Sequence, residues 1–148
     1  MSRRDLIRMS TDEIDAYLAA NRHCRIGTIA PDGGIHLVAM TYVMFEGVPA
    51  FWSYGRAQKI RNLERNPAIG FIVDTGVHYS ELKGVHLQGR GEIVTDPEAV
   101  ARFAGVLVGE AAERGANKAQ ASAPKRVVVK VHANKVLSWD HAKLGGGY

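Results

Sequence analysis

Between Phe51 and Asp74 the chain reads FWSYGRAQKIRNLERNPAIGFIVD, two apolar extended runs separated by a short basic segment that is itself bounded by breakers. Phe51 to Tyr54 has the aromatic, extended character of a buried strand, and Gly55 ends it. Ala57, Ile60 and Leu63 then recur every third residue, which predicts one apolar stripe of a helix. Pro67 drives the residue before it out of the helical region, so the helix stops at Asn66 and Ile69 to Val73 resumes a strand. This strand, basic helix, strand unit is the part of the chain around which the rest is read as scaffold.

On the predicted helix Arg56, Lys59 and Asn62 are spaced by three and form a row along one edge of the apolar stripe, close to the helix start. The first backbone N–H groups of a helix are unpaired and carry partial positive charge, and flanking cations add charge-assisted hydrogen bonds, so such a row can hold a phosphate. A basic edge is also the ordinary solvated face of a surface helix. Arg61 and Arg65, one turn apart on another face, read that way.

Taken in order, Thr11-Asp12-Glu13 opens an amphipathic helix carrying Ile14, Tyr17 and Leu18 and ending near Asn21. Arg25 to Ala30 is a strand, Pro31 to Gly34 a turn, and Ile35 to Phe45 a second, long strand. Glu46-Gly47 turns the chain into a third strand, Val48 to Tyr54, which completes a meander. In the second strand Val38, Ala39, Met40 and Thr41 are small or unbranched and would let a flat ligand lie against the backbone, or simply pack between sheet faces. After a loop holding His78 and Tyr79, Val85 to Val94 is a long strand with Gly89 and Gly91 at a bend or bulge. Asp96-Pro97-Glu98 caps a helix expected to reach Arg114, Gly115 to Lys125 reads as a mobile surface loop, and Val127 to Val131 and Lys135 to Trp139 are the last strands.

With 148 residues a single domain, 1–148, with one core is expected. No apolar run reaches the roughly 18 to 20 residues of a membrane helix, and the start, MSRRDLIRM, has no apolar leader behind its charges, so a cytoplasmic protein with no membrane partner is expected. A formal charge of +4 favours anionic partners, but the Lys and Arg residues are dispersed and aromatics are few, which argues against nucleic acid and for small phosphorylated or carboxylated molecules. The histidines lack metal-motif spacing, Cys24 is alone, and no nucleophile elbow is present, so no metal site and no catalytic side chain is assigned. Chemistry on such a chain would belong to a bound cofactor.

Four segments together, RIGTIAPDGGIHLVAMTYVMFEG, the K-x-x-N-L-x-R-x-P run from Lys59 to Pro67, ELKGVHLQGRGEIV, and the ending SWDHAKLG, resemble the flavin- and deazaflavin-dependent oxidoreductases with the pyridoxamine-phosphate-oxidase-like split barrel. The likeness is greatest to the B group of actinobacterial coenzyme F420-dependent reductases and spans almost the whole chain. It implies a mainly β fold with peripheral helices, a six-stranded antiparallel split β-barrel, and a homodimer with two cofactor grooves between subunits. It places the cofactor phosphate on Lys59 and Asn62, with Gln58 and Arg61 as neighbours, and the ring along Ala39, Met40 and Thr41 near Ser53. Some relatives carry an Arg where this chain has Ala57, and Arg56 stands beside that position to replace it. The implied function is an F420-dependent reductase passing a hydride to an electron-poor small molecule such as an enone or quinone, with a proton from Tyr79, His78 or solvent. An FMN-dependent oxidase or reductase is the alternative, followed by a non-enzymatic protein that stores or senses a flavin-type cofactor and, more distantly, a haem-binding barrel. The tail of F420 would need a longer track of cations, for which Arg56, Lys59 and Arg61 could be extended by Lys143, Lys118, Lys125 or Arg126.

Overall fold

The second long strand does not run through. In the computed structural model, which describes residues 1–110 and 122–146, it breaks at Tyr42 into β2 (Ile35–Thr41) and β3 (Val43–Phe45). Tyr42 is fully buried, its hydroxyl donates to the Leu18 carbonyl at 2.6 Å, and its ring meets Phe71 edge-on at 5.1 Å. The remaining strands are β1 (His23–Ile29), β4 (Val48–Tyr54), β5 (Ala68–Thr75), β6 (Lys83–Val94) and β7 (Arg126–Asp140).

Among the described residues these make one antiparallel sheet of seven strands in the order β2-β1-β5-β6-β7-β4-β3. β2 and β3 sit at opposite edges of that order yet are joined by one residue. The sheet must therefore curl until its edges meet at Tyr42. The six strands that the resemblance implies are therefore seven here: the long second strand pairs with β1 before Tyr42 and with β4 after it. Conversely, the two last strands read from the sequence are one. β7 passes through His132-Ala133-Asn134 without ending, because the register slips at Gln88/Gly89 and Asn134 bulges out between Ala133 and Lys135. A Cβ at Gly89 would come within 2.0 Å of the His132 carbonyl oxygen, so only glycine fits beside the bulge.

Helix α1 (Thr11–Ala20) begins one residue after its cap: Ser10 accepts from the Glu13 N–H while Glu13 accepts from the Ser10 N–H at 3.0 Å. Helix α2 (Gln58–Arg65) turns Ile60 and Leu63 into the barrel, against Ile26, Phe51 and Phe71. Helix α3 is described over Pro97–Glu110 and covers the other side of β3, β4 and β7, where Phe103 packs on Phe45, Val43 and Val128. Its expected extension to Arg114 and residues 115–121 of the loop expected from Gly115 to Lys125 lie outside the described residues, while Ala123–Lys125 form a single 3-10 turn. No helix among the described residues is long and apolar enough to cross a membrane.

The apolar runs YVMF and GFIV are largely internal: Tyr42, Val43, Phe45, Phe71 and Val73 are all buried. The exposed apolar face lies elsewhere. Ile35 and Leu37 on the edge strand β2 are 72% and 73% exposed, beside a groove of about 540 Å3 floored by Gly27 and Gly70.

Candidate functional site

β4 carries Ser53 inward and Tyr54 outward, and its last pairs are Ser53 with Val127 and Tyr54 with Arg126. The chain then turns through Gly55, whose N–H donates to the Lys125 carbonyl at 3.3 Å, and enters α2. This turn brings Lys59, in the first turn of α2, back over the end of β4, where its ammonium donates to the Ser53 hydroxyl at 3.1 Å. Arg126, opening β7 beside it, lays its guanidinium 3.9 Å from the centre of the Tyr54 ring and 5.0 Å from that of Trp52.

Two cations thus stand near one another at the end of β4, one of them bonded to the Ser53 hydroxyl. Among the described residues no carboxylate pairs with either, and the Arg126 Nε is buried with no hydrogen-bond partner. Burial first, and then the positive charge of Arg126, hold the Lys59 ammonium below its ordinary pKa. Ala57, the residue before α2, offers no side-chain cap, and its carbonyl is taken by the Ile60 and Arg61 N–H groups. The N–H groups of Gln58 and Lys59 come too early for a partner within the helix. Such a cluster is chemically suited to one oxyanion: it neutralises the Lys59–Arg126 repulsion and supplies the acceptor that Arg126 Nε lacks.

The other residues of the expected site divide. Arg56 and Gln58 are exposed at the mouth of the helix. Arg61 is exposed and faces Glu64 at 3.6 Å. Asn62 is fully buried: its Nδ2 donates to Thr28 Oγ1 at 3.0 Å and its Oδ1 accepts from Gln58 Nε2 at 2.7 Å. It is a strut tying α2 to β1, because the row Arg56, Lys59, Asn62 runs down the helix from solvent into the barrel. Arg65, expected to be solvated, donates to the Ile29 carbonyl and to Asn62 Oδ1.

Ala39 and Thr41 are exposed on the outer side of β2 with Ile35 and Leu37, while Met40 turns inward onto the core. They line a cavity of about 300 Å3 with His23, Cys24 and Arg25, to which Ser53, Lys59 and Arg126 do not contribute. Burial pushes the Cys24 thiol up to about 12, so it is inert there. His78 and Tyr79 are held in a 3-10 turn, with the Tyr79 ring 4.4 Å from that of His141. That corner adjoins Asp140, the opposite end of β7 from Arg126. The two are the first and last of the 15 residues of β7, roughly 45 Å of contour apart at about 3.3 Å per residue. Lys143 belongs to the same corner and is engaged by Glu13 at 2.7 Å and the Arg8 carbonyl at 3.0 Å. Sequence reasoning named Arg126 only as a possible extension of the cation track and did not place it beside Lys59. A cation directly before the apolar run Val127 to Val129 was the available signal, but its aromatic neighbours come from β4, more than seventy residues earlier.

The family model for pyridoxamine 5'-phosphate oxidase matches residues 10–140. The chain belongs to this family. A conserved hypothetical protein from Mycobacterium tuberculosis is 33% identical, with a TM-score of 0.91 over 100% of this chain and 95% of that one. An F420 reductase shares the fold at 22% identity and a TM-score of 0.61, over 82% of this chain and 94% of its own. A FAD-binding protein from Mesorhizobium loti does so at 24% and 0.69, over 88% and 94%. No functionally curated protein matches the chain. The proteins that share the fold at these lower identities thus include an F420 reductase, a FAD-binding protein and, at 13% identity, a heme storage protein from Vibrio cholerae.

Proposed function

We propose that this member of the family is a coenzyme F420-dependent reductase that passes a hydride to an electron-poor small molecule such as an enone or quinone. The observation that carries the reading is the pair Lys59 and Arg126, brought together near Ser53 with no carboxylate among the described residues to balance them. In this reading Lys59, Arg126 and Ser53 hold the cofactor phosphate, Arg56, Gln58 and Arg61 line its approach, and Asn62 fixes the helix that presents Lys59. Ala39, Met40 and Thr41 provide a low-relief surface for the ring. The bound deazaflavin supplies the hydride, which adds to the electron-poor carbon, and a proton from solvent completes the reduction.

The grooves would be shared in a homodimer. Within one protomer Ala39 and Thr41 face outward while Ser53 faces the core with Phe51, so a ring against the former and a phosphate at the latter call for two subunits. The exposed Ile35 and Leu37 and the groove beside them supply apolar surface for such an interface, which needs about 800 Å2 per subunit. Light scattering is expected to give twice the 16.1 kDa chain mass.

One observation favours FMN as the second reading. Lys143, a candidate for the tail track, is bound to Glu13 at the far corner, which leaves Arg56, Arg61 and Lys125 as the described cations near the cluster. The absorbance spectrum and mass of the small molecule that co-purifies, with turnover of an enone under reduced F420 and under reduced FMN, test the choice. Retention and turnover with FMN alone would reverse it.

A further inference from the structure

The corner at the Asp140 end of β7 holds a cavity that the reading above leaves unused. It measures about 630 Å3, within the roughly 300–1,000 Å3 of small-molecule sites. The N-terminal segment and α1 form one side, through Ile7, Met9 and Ile14, and β7 forms the other, through Leu137 and Trp139.

Its walls are fixed by contacts far apart in sequence. The Asp140 N–H donates to the Ile7 carbonyl at 2.7 Å, the Met9 N–H donates to Ser138 Oγ at 3.0 Å, and Lys143 reaches the Arg8 carbonyl and Glu13. Trp139 keeps its place because Gly84 has no side chain: a Cβ there would come within 2.2 Å of the indole. The SWDHAKLG ending is therefore a clasp that builds this cavity.

The polar lining has one sign. Arg4 and Arg8 stand on it and, among the described residues, no carboxylate does. Arg8 shares its charge with Asp5 at 3.1 Å, whereas Arg4 has no ion pair among the described residues. Residues 2–9 carry Arg3, Arg4 and Arg8 against Asp5, three positive charges less one negative, or +2. His141 also lines the cavity, and its Nδ1 is buried without a partner, a donor or acceptor that costs free energy until a polar group meets it.

We propose that this cavity is a second ligand site, for a flat apolar ring bearing one carboxylate. The ring lies between the aliphatic side chains and Trp139, and the carboxylate takes Arg4 and His141 Nδ1–H. The inference does not rest on the F420 reading.

The test is a titration of the full-length protein with 2-naphthoate, following the indole N–H signals of Trp139 and Trp52 by 15N NMR and assigning them with Trp52→Phe. Trp52 lies under Arg126 and reports on the phosphate cluster. A saturable shift of Trp139 alone is expected. Neutral 2-naphthamide should bind at least tenfold more weakly, Arg4→Gln should weaken naphthoate about tenfold, and Val136→Glu, at an exposed lining position, should abolish the shift. Lys59→Ala and Arg126→Gln should leave it unchanged, so that failure of the phosphate site and failure of this one are separable. No saturable shift of Trp139, equal binding of the amide, or a shift that depends on Arg126 would overturn the proposal.

Discussion

The two ends of β7 treat positive charge in opposite ways. At the Asp140 end each cation that joins segments has a carboxylate: Lys83 lies 3.5 Å from Asp140 and Lys143 lies 2.7 Å from Glu13. At the Arg126 end Lys59, bonded to Ser53, stands near Arg126, and among the described residues neither has one. Exposed ion pairs contribute only about 0–1 kcal/mol, so the Asp140 corner is held chiefly by its backbone bonds to Ile7 and Leu82, with the charges selecting register. Two partly buried like charges, by contrast, work against folding, and their persistence is explained when a ligand neutralises them. Charge that is balanced within the chain marks structure here, and charge that is left unbalanced marks a place for something else.

The sharpest way to break this contrast is inside α2, where Lys59 and Asn62 are one turn apart. Asn62→Ala removes a fully buried amide and strands Thr28 Oγ1, so a stability loss of about 2–4 kcal/mol is expected, read as a lower denaturant midpoint at unchanged slope. Lys59→Ala should do the reverse: cofactor affinity falls by about 1–3 kcal/mol while the melting temperature holds or rises, since Arg126 loses a like-charged neighbour. A Lys59→Ala protein that melts early with affinity intact would make this lysine structural.

A smaller effect is expected at the clasp. The hydrogen bond from Lys143, then that from the Ser10 N–H, lowers the Glu13 carboxyl from 4.5 to about 2. Because the folded value is the lower one, this contribution is present above pH 4.5 and is lost as pH falls towards 2. Acid unfolding of Glu13→Gln should show a shallower dependence than the parent between those limits, and parallel curves would remove the clasp from the account. The smallest change is expected for Arg61→Ala, whose exposed pairing with Glu64 is 3.6 Å long: under about 0.5 kcal/mol in either stability or affinity.

The strand, basic helix, strand unit was readable because its limits are local: Gly55, Asn66 and Pro67 act on their own neighbours. The cap of α1 and the turn at Glu46-Gly47 were readable for the same reason. What escaped depends on partners distant in sequence. Tyr42 splits a continuous apolar run because Leu18 and Phe71 receive its side chain, and Asn134 is absorbed as a bulge because Gly89 lies opposite. Helical spacing placed Arg56, Lys59 and Asn62 on one row without showing which end of the row enters the barrel. Lys59 was found from spacing and charge alone, whereas Arg126 needed the pairing of β4 with β7.

The central claim is that Lys59 and Arg126 form a phosphate site, and calorimetric titration of the parent and Arg126→Gln with F420 tests it most directly. Micromolar or tighter binding by the parent is expected, weakened at least tenfold in Arg126→Gln with the folded state as stable as before. Equal affinity in the two proteins would contradict the claim.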